Sequence, residues 1–342
     1  MTGFILPLFA AIFISFIMTP IIRRLAFKID AIDIPKDERR VHKKPIPLLG
    51  GLAIFISVII SSLIFLPIDK TLFSIIIGGS IIIVSGVIDD MKGLSPKKKI
   101  LFQLAAGLVL IIGDVKVDFV TNPFSVNDTL IYLKWFSIPI TLFWVVGITN
   151  TINLIDGLDG LAAGVAAISS FSLMLVAAKF GYGNVIILSA ILGGACLGFL
   201  PYNFNPAKIF MGDTGALFLG FMLAAISIEG VMKSIATIAI IVPIIILGVP
   251  IFDTTFAIFR RLLNGQSITS ADKGHLHHRL LNRGFSQRKT VLILYGISTL
   301  FGLFAVLVAK YNSHQAIYLS VVLFIATVFL AIKMGLFRSG KK

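Results

Sequence analysis

The feature that most constrains this chain is a series of apolar runs, about eleven of them, most near the roughly 20 residues that carry a helix across a bilayer. They fall at roughly 3–22, 46–66, 71–88, 100–113, 135–152, 158–178, 185–200, 212–228, 234–253, 290–308 and 316–335, with the fourth and seventh short for a span. Composition points the same way. Of the 342 residues 57% are hydrophobic and 13% charged, with a mean hydropathy of +0.99, whereas soluble domains are roughly 45–50% apolar and about 25% charged. The chain is therefore read as an all-α integral membrane protein, a single polytopic domain over residues 1–342. The first run lacks a basic start and an evident small-residue cleavage site, so it reads as a span and not as a cleaved signal peptide.

The net charge of +14 is tested against membrane orientation before nucleic acid, because Lys and Arg concentrate on the cytoplasmic side. With the N-terminus outside and eleven alternating spans, 24 of the 30 Lys and Arg residues fall inside. Lys70, Lys116, Lys134, Lys179, Lys233 and Lys310 remain outside. This predicts an outside N-terminus, a cytoplasmic C-terminus and no nucleic-acid partner. The single cysteine, Cys196, lies within an apolar run, which excludes an intrachain disulfide and a cysteine metal centre.

That orientation gathers the polar motifs on the cytoplasmic face: "RRVHKKPIPLLGG" (39–51), "GVIDDMKGLSPKKK" (86–99), "TNTINLIDGLDGLAAG" (149–164), "PYNFNPAKIFMGDTG" (201–215) and "DKGHLHHRLLNRG" (272–284). The longest outside loop, 114–134, reads as a small hairpin or an amphipathic piece. Its sequon at Asn127 is too short a pattern to carry weight. Acids in and beside membrane spans are costly and by default functional. Here they sit at span ends, whereas a transporter binds its cargo near the midplane.

Each motif has a bland reading beside a chemical one. Asp89 and Asp90 end the third run and point about 100° apart if helical. They either face water or divide between a metal and a general base. Asp156 and Asp159, if helical, share a face with Asn153 one turn earlier, and Gly157 and Gly160 allow close backbone approach. A helix cap needs one acid, not two acids and the amides of Asn150 and Asn153, so a polar ligand is favoured. Asp213 opens another span as a cap or as a hard-cation ligand. Mg2+ takes a few carboxylates and substrate phosphate oxygens. His275, His277 and His278 lack zinc spacing. With Lys273, Arg279 and Arg283 they suit phosphate or sugar hydroxyls, or else anionic lipid. The basic segment 36–44, with His42 and Lys44, and Lys97 to Lys99 share that lipid-facing reading. The combination argues for transfer of a phosphorylated group onto a lipid phosphate.

"GVIDD", "NTINLIDGLDG", "YNFNPAKIFMGDTG" and "DKGHLHHRLL", in that order within about residues 20–290, together resemble the polyprenyl-phosphate N-acetylhexosamine-1-phosphate transferases. The TagO/WecA branch is the nearer one. The MraY branch carries three consecutive histidines where this chain reads His275-Leu276-His277-His278, and a Thr-Met pair that "HKKPIPLLGG" lacks.

The resemblance implies an active site on the cytoplasmic face and transfer of GlcNAc-1-phosphate from UDP-GlcNAc to undecaprenyl phosphate, with UMP released. It implies Mg2+, with Mn2+ as a substitute, and Asp213 as its ligand. Asp89, Asp90, Asp156, Asp159, His275, His277 and His278 match catalytic positions. His42, Lys44, Lys97, Asn150, Asn153, Asn203, Phe210 and Arg279 match substrate-binding ones, with Phe210 placed to stack on uracil. A bacterial plasma membrane location, a homodimer and a start to teichoic acid or other envelope glycan synthesis belong to the same expectation. Two alternatives stand beside it: another donor such as UDP-MurNAc-pentapeptide, and a transporter whose acids relay protons.

Overall fold

The structure, a computed structural model, describes residues 3–34, 45–121, 130–232, 240–267, 274–311 and 313–333. Helix α1 (Ile5–Lys28) leads through strands β1 (Ile32–Asp33) and β2 (Ile46–Pro47) to α2 (Gly50–Phe65), α3 (Lys70–Lys92) and α4 (Pro96–Ile112). Strands β3 (Phe119–Thr121) and β4 (Leu130–Tyr132) precede α5 (Ser137–Ile155), α6 (Leu161–Phe180), α7 (Gly183–Asn203) and α8 (Gly212–Ser227). Then come α9 (Ile241–Ile246), α10 (Gly248–Leu263), α11 (Leu276–Asn282), α12 (Gln287–Val308) and α13 (Ser313–Lys333). Local chemistry sets several boundaries. The Asp69 carboxylate accepts from Leu72 N at 2.8 Å to start α3, and Pro96 stands in the first turn of α4, where its missing N–H costs nothing.

Helix α8 is the axis of the bundle, buried from Thr214 to Ser227 and flanked by α2, α3, α5, α6 and α7. In lipid, helices associate through close packing, which small residues permit. A Cβ on Gly51 of α2 would lie 2.1 Å from Gly215 N, and one on Gly86 of α3 2.3 Å from Thr214 Cα. Two helices are thus pressed onto the first turn of α8. On α7, a Cβ at Gly194 would meet Leu8 O at 2.6 Å and one at Gly198 would meet Ile12 O at 2.2 Å, so α1 lies directly on α7.

Among the described residues eight helices are long and apolar enough to cross a membrane. Their outward residues, such as Phe9, Phe13, Phe143, Leu300 and Phe329, are large, apolar and exposed. This is the surface of a multi-pass membrane protein. The seventh apolar run, short in sequence, becomes the 21-residue α7 because Pro201-Tyr202-Asn203 continues the helix. The second and fourth runs form shorter helices, α2 of 16 and α4 of 17 residues. The ninth run is not one helix. It breaks at Leu247 between α9 and α10, near Pro243 and Pro250, which remove backbone donors, and α10 continues to Leu263. In the 114–134 loop β3 and β4 pair antiparallel, with Val120 opposite Ile131, the hairpin of the two expected forms. Asn127, His42 and Lys44 lie outside the described residues.

Candidate active site

One end of the bundle holds a cavity of about 530 Å³. Its walls include Asp90, Asn153, Asp156, Asp159, Asn203, Phe210, Asp213 and His278, residues from α3, α5, α7, α8, α11 and two connecting loops.

The two adjacent acids of α3 diverge, as helical geometry requires. Asp90 serves the start of α8: its Oδ1 accepts from Asp213 N at 2.8 Å, and its Oδ2 from Thr214 N at 3.1 Å and Thr214 Oγ1 at 2.6 Å. The cap of α8 therefore comes from another helix. This needs a glycine at 212, with φ +69° and no room for a Cβ, which would lie 2.3 Å from Asp90 Oδ2. Asp89 accepts from Leu94 N at 2.5 Å and pairs with Lys99. Lys99 Nζ also reaches Asp213 Oδ2 at 2.5 Å, so one ammonium bridges two carboxylates. Asp89 is not among the residues lining the cavity.

Asp156 and Asp159 do not share a helical face. Asp156 ends α5 with ψ 53°, and the chain turns through Gly157 to Gly160, whose φ is +79°, before α6 begins. The two glycines that made a ligand loop conceivable also end the helix. The half-buried Asp156 carboxyl is pushed up to about 8, by burial first and then by the charges of Asp213, Asp90 and Asp159. Asp159 Oδ2 instead accepts from Asn205 Nδ2 and Ala207 N, both at 3.0 Å. Asn203 joins the same two loops: its Oδ1 accepts from Gly160 N at 3.1 Å and its Nδ2 donates to Ile209 O at 3.0 Å. Arg23 Nε and Arg288 Nε brace the loop from outside, donating to Lys208 O and Asn205 O.

Phe210 is held by backbone pairing. Its N donates to Pro47 O and its O accepts from Gly50 N, both at 2.9 Å, which leaves the half-buried ring at the cavity wall. Asn153 lines the cavity together with Asp213. Asn150 turns away, its Nδ2 donating to Gln103 Oε1 and Val146 O at 2.7 Å. Lys97 is exposed. Arg279 Nε donates to Gly274 O at 2.9 Å, bracing its own loop.

The three histidines divide. His278 lines the cavity. His277 is buried, and its pKa is pushed down to about 4, by burial first and then by His278, so it is neutral at pH 7 and not part of a cationic surface. His275 Nδ1 lies 2.9 Å from Asp253 Oδ2. Lys99 and Asp253 are functional candidates that motif reading missed. A lone acid within the apolar stretch "PIFDTTF" was the available signal for the second. Nothing in a run of three lysines singles out the first.

No three His, Cys, Asp or Glu side chains converge on one point among the described residues. Asp213, Asn153 and the carboxyl of Asp156 nevertheless face the same cavity. Hard oxygen donors in that number suit Mg2+, which keeps several waters and completes its shell with substrate phosphates. The residues present fit that ion.

Residues 72–231 match glycosyl transferase family 4. A probable undecaprenyl-phosphate N-acetylglucosaminyl 1-phosphate transferase of Bacillus subtilis is 45% identical over 92% of this chain and 87% of its own. A decaprenyl-phosphate N-acetylglucosaminephosphotransferase of Mycobacterium tuberculosis is 36% identical over 83% and 77%. A phospho-N-acetylmuramoyl-pentapeptide-transferase of Halalkalibacterium halodurans is 33% identical over 88% and 95%. Identity of this extent over most of the length is a family relationship: the chain belongs to the polyprenyl-phosphate N-acetylhexosamine-1-phosphate transferases of glycosyl transferase family 4.

Proposed function

We propose that the protein transfers GlcNAc-1-phosphate from UDP-GlcNAc to undecaprenyl phosphate at the cytoplasmic face of a bacterial plasma membrane, using Mg2+, and so begins teichoic acid or another envelope glycan. The observation that carries this reading is the cavity itself. It combines acids, amides and an aromatic ring at one end of a membrane bundle, in a chain 45% identical to a protein named for this reaction. The arrangement reads as eleven spans with the N-terminus outside, the short α2 and α4 and the broken α9–α10 pair supplying the three beyond the eight long helices.

In this reaction an oxygen of the lipid phosphate attacks the sugar-bearing phosphorus of the donor, the pyrophosphate bond breaks, and UMP leaves. The nucleophile carries its own charge at neutral pH, since a phosphate monoester has a second pKa near 6. The protein mainly positions two anions and offsets their repulsion. Bound Mg2+ supplies charge neutralisation on the transferring phosphate. Asp213 and Asn153 would hold it, with Asp156. Phe210 offers a face to the uracil, and His278 a hydrogen-bonding edge to phosphate or sugar.

Purified protein given undecaprenyl phosphate and a panel of UDP-sugars should release UMP with UDP-GlcNAc and stop on chelation of divalent cations. Asp213→Asn should abolish turnover while the folded protein persists. Preferential use of UDP-MurNAc-pentapeptide would refute the donor assignment, and full activity in chelator would refute the metal.

A further inference from the structure

Asp253 is the one acid of α10. It is only 6% exposed and is not among the residues lining the cavity. Both its oxygens are engaged by the histidine segment. Oδ1 accepts from Leu276 N at 2.7 Å, at the start of α11, and Oδ2 lies 2.9 Å from His275 Nδ1. An ionised carboxylate only accepts, so this contact puts the imidazole proton on Nδ1 and fixes the ring's tautomer and orientation. Two turns further along α10, Arg260 sits beneath Gly274, where a Cβ would come within 2.3 Å of the guanidinium carbon. Arg279 Nε closes the loop onto Gly274 O. Residues 274–279 are thus fastened to α10 on one side. On the other, His275 stacks on His277 with ring centres 5.9 Å apart and planes 6° from parallel. His277 in turn lies 4.2 Å, centre to centre, from His278, which reaches the cavity.

We infer that Asp253 is a positioning residue for the transfer reaction: its carboxylate fixes His275 and the start of α11, and so sets where His278 stands in the cavity. The inference rests on the proposed reaction for its consequence but on the geometry for its cause. A bond of this kind matters because a displacement of about 1 Å in a group facing the reacting phosphates can lower a rate about 100-fold. A carboxylate that served only to neutralise its helix would have no coupling to His275.

Two measurements test it. In 15N-histidine-labelled protein in nanodiscs, with the His275 signals identified from His275→Gln, the wild type should show His275 protonated on Nδ1. This needs no Asp253 variant to fold. Asp253→Ala should release UMP about tenfold or more slowly, and the Asp253→Ala/His275→Ala double variant should fall well short of the product of the two single losses, because coupled residues are not additive. A proton on Nε2 alone, single losses that multiply, or Asp253→Ala turnover within about twofold of wild type would each overturn the inference. Failure of the wild type to release UMP at all would instead overturn the reaction.

Discussion

The His277 imidazole lies against the backbone of Gly157: a Cβ at 157 would stand 2.5 Å from Nε2. The histidine segment and the loop carrying Asp156 and Asp159 are therefore in direct contact, through a ring that is neutral at pH 7. Gly157 is not in the left-handed region, so an alanine there would be strained by contact alone. Gly157→Ala should cost about 1–3 kcal/mol of stability and about 10- to 100-fold in turnover. Adding His277→Ala should return thermal stability toward that of His277→Ala alone. No relief in the double variant would show that the contact is not the cause.

Lys99 joins Asp89 to Asp213 with about a quarter of its side chain exposed. Lys99→Gln removes the cation that two carboxylates share. After discounting for solvent, the stability loss should be about 1–2 kcal/mol, and kcat should fall about tenfold or more. With Asp213 as the proposed Mg2+ ligand, Lys99 would compete with the ion, and the variant should reach half-saturation at lower Mg2+. A higher Mg2+ requirement would mean that Lys99 assists the metal.

Much of this molecule was legible in its sequence, and the part that was not has physical reasons. Apolar length announces a span because an unpaired backbone cannot be left in lipid, and acids at span ends announce the cavity because they are costly there. Side-chain direction was not legible. Asn150 sits in the motif but finds its partner, Gln103, 47 residues away on α4. Asp156 and Asp159 part because glycines end α5. Among three consecutive lysines the helix that starts at Pro96 turns only Lys99 onto Asp89 and Asp213. Asp253 sits where the ninth apolar run ends, and its partners His275 and Leu276 lie 22 and 23 residues further along the chain.

Asp156 gives a pH signature. Its carboxyl is held near 8, above the ordinary carboxylate value of 3.8, so in the cation-free protein it is largely protonated at pH 7. A divalent cation held there, as proposed, would have to displace that proton. Mg2+ affinity should therefore rise from pH 6.5 to 8.5, by up to about tenfold per unit below the pKa. The same group favours the fold at low pH, and that contribution is lost as pH rises from about 4 through about 8. Asp156→Asn should consequently raise the Tm more at pH 8.5 than at pH 5, and should flatten the pH dependence of Mg2+ binding measured by calorimetry. A Tm gain equal at both pH values would remove the assignment.

The proposed eleven-span arrangement is open to chemical labelling. Cys196 is fully buried, and Cys196→Ser gives a silent background. In intact cells Lys98→Cys, at the start of α4, should be protected from an impermeant maleimide. Trp135→Cys, at a side chain 85% exposed beside the β3–β4 hairpin, should react. Labelling in the opposite sense would invert the topology.

The glycine-lined seat of α1 on α7 has a consequence for biogenesis. Helix α1 is synthesised well before α7, yet the surface that receives Leu8 and Ile12 lies at Gly194 and Gly198. At a synthesis rate of about 5–20 residues per second α1 waits on the order of ten to forty seconds in the bilayer before that surface exists. Helix α2 arrives sooner, and Ser57 Oγ donates to Ala11 O at 2.7 Å. The α1–α2 pair can therefore hold as a nascent hairpin while translation proceeds, and the bundle closes only when its seventh helix is delivered.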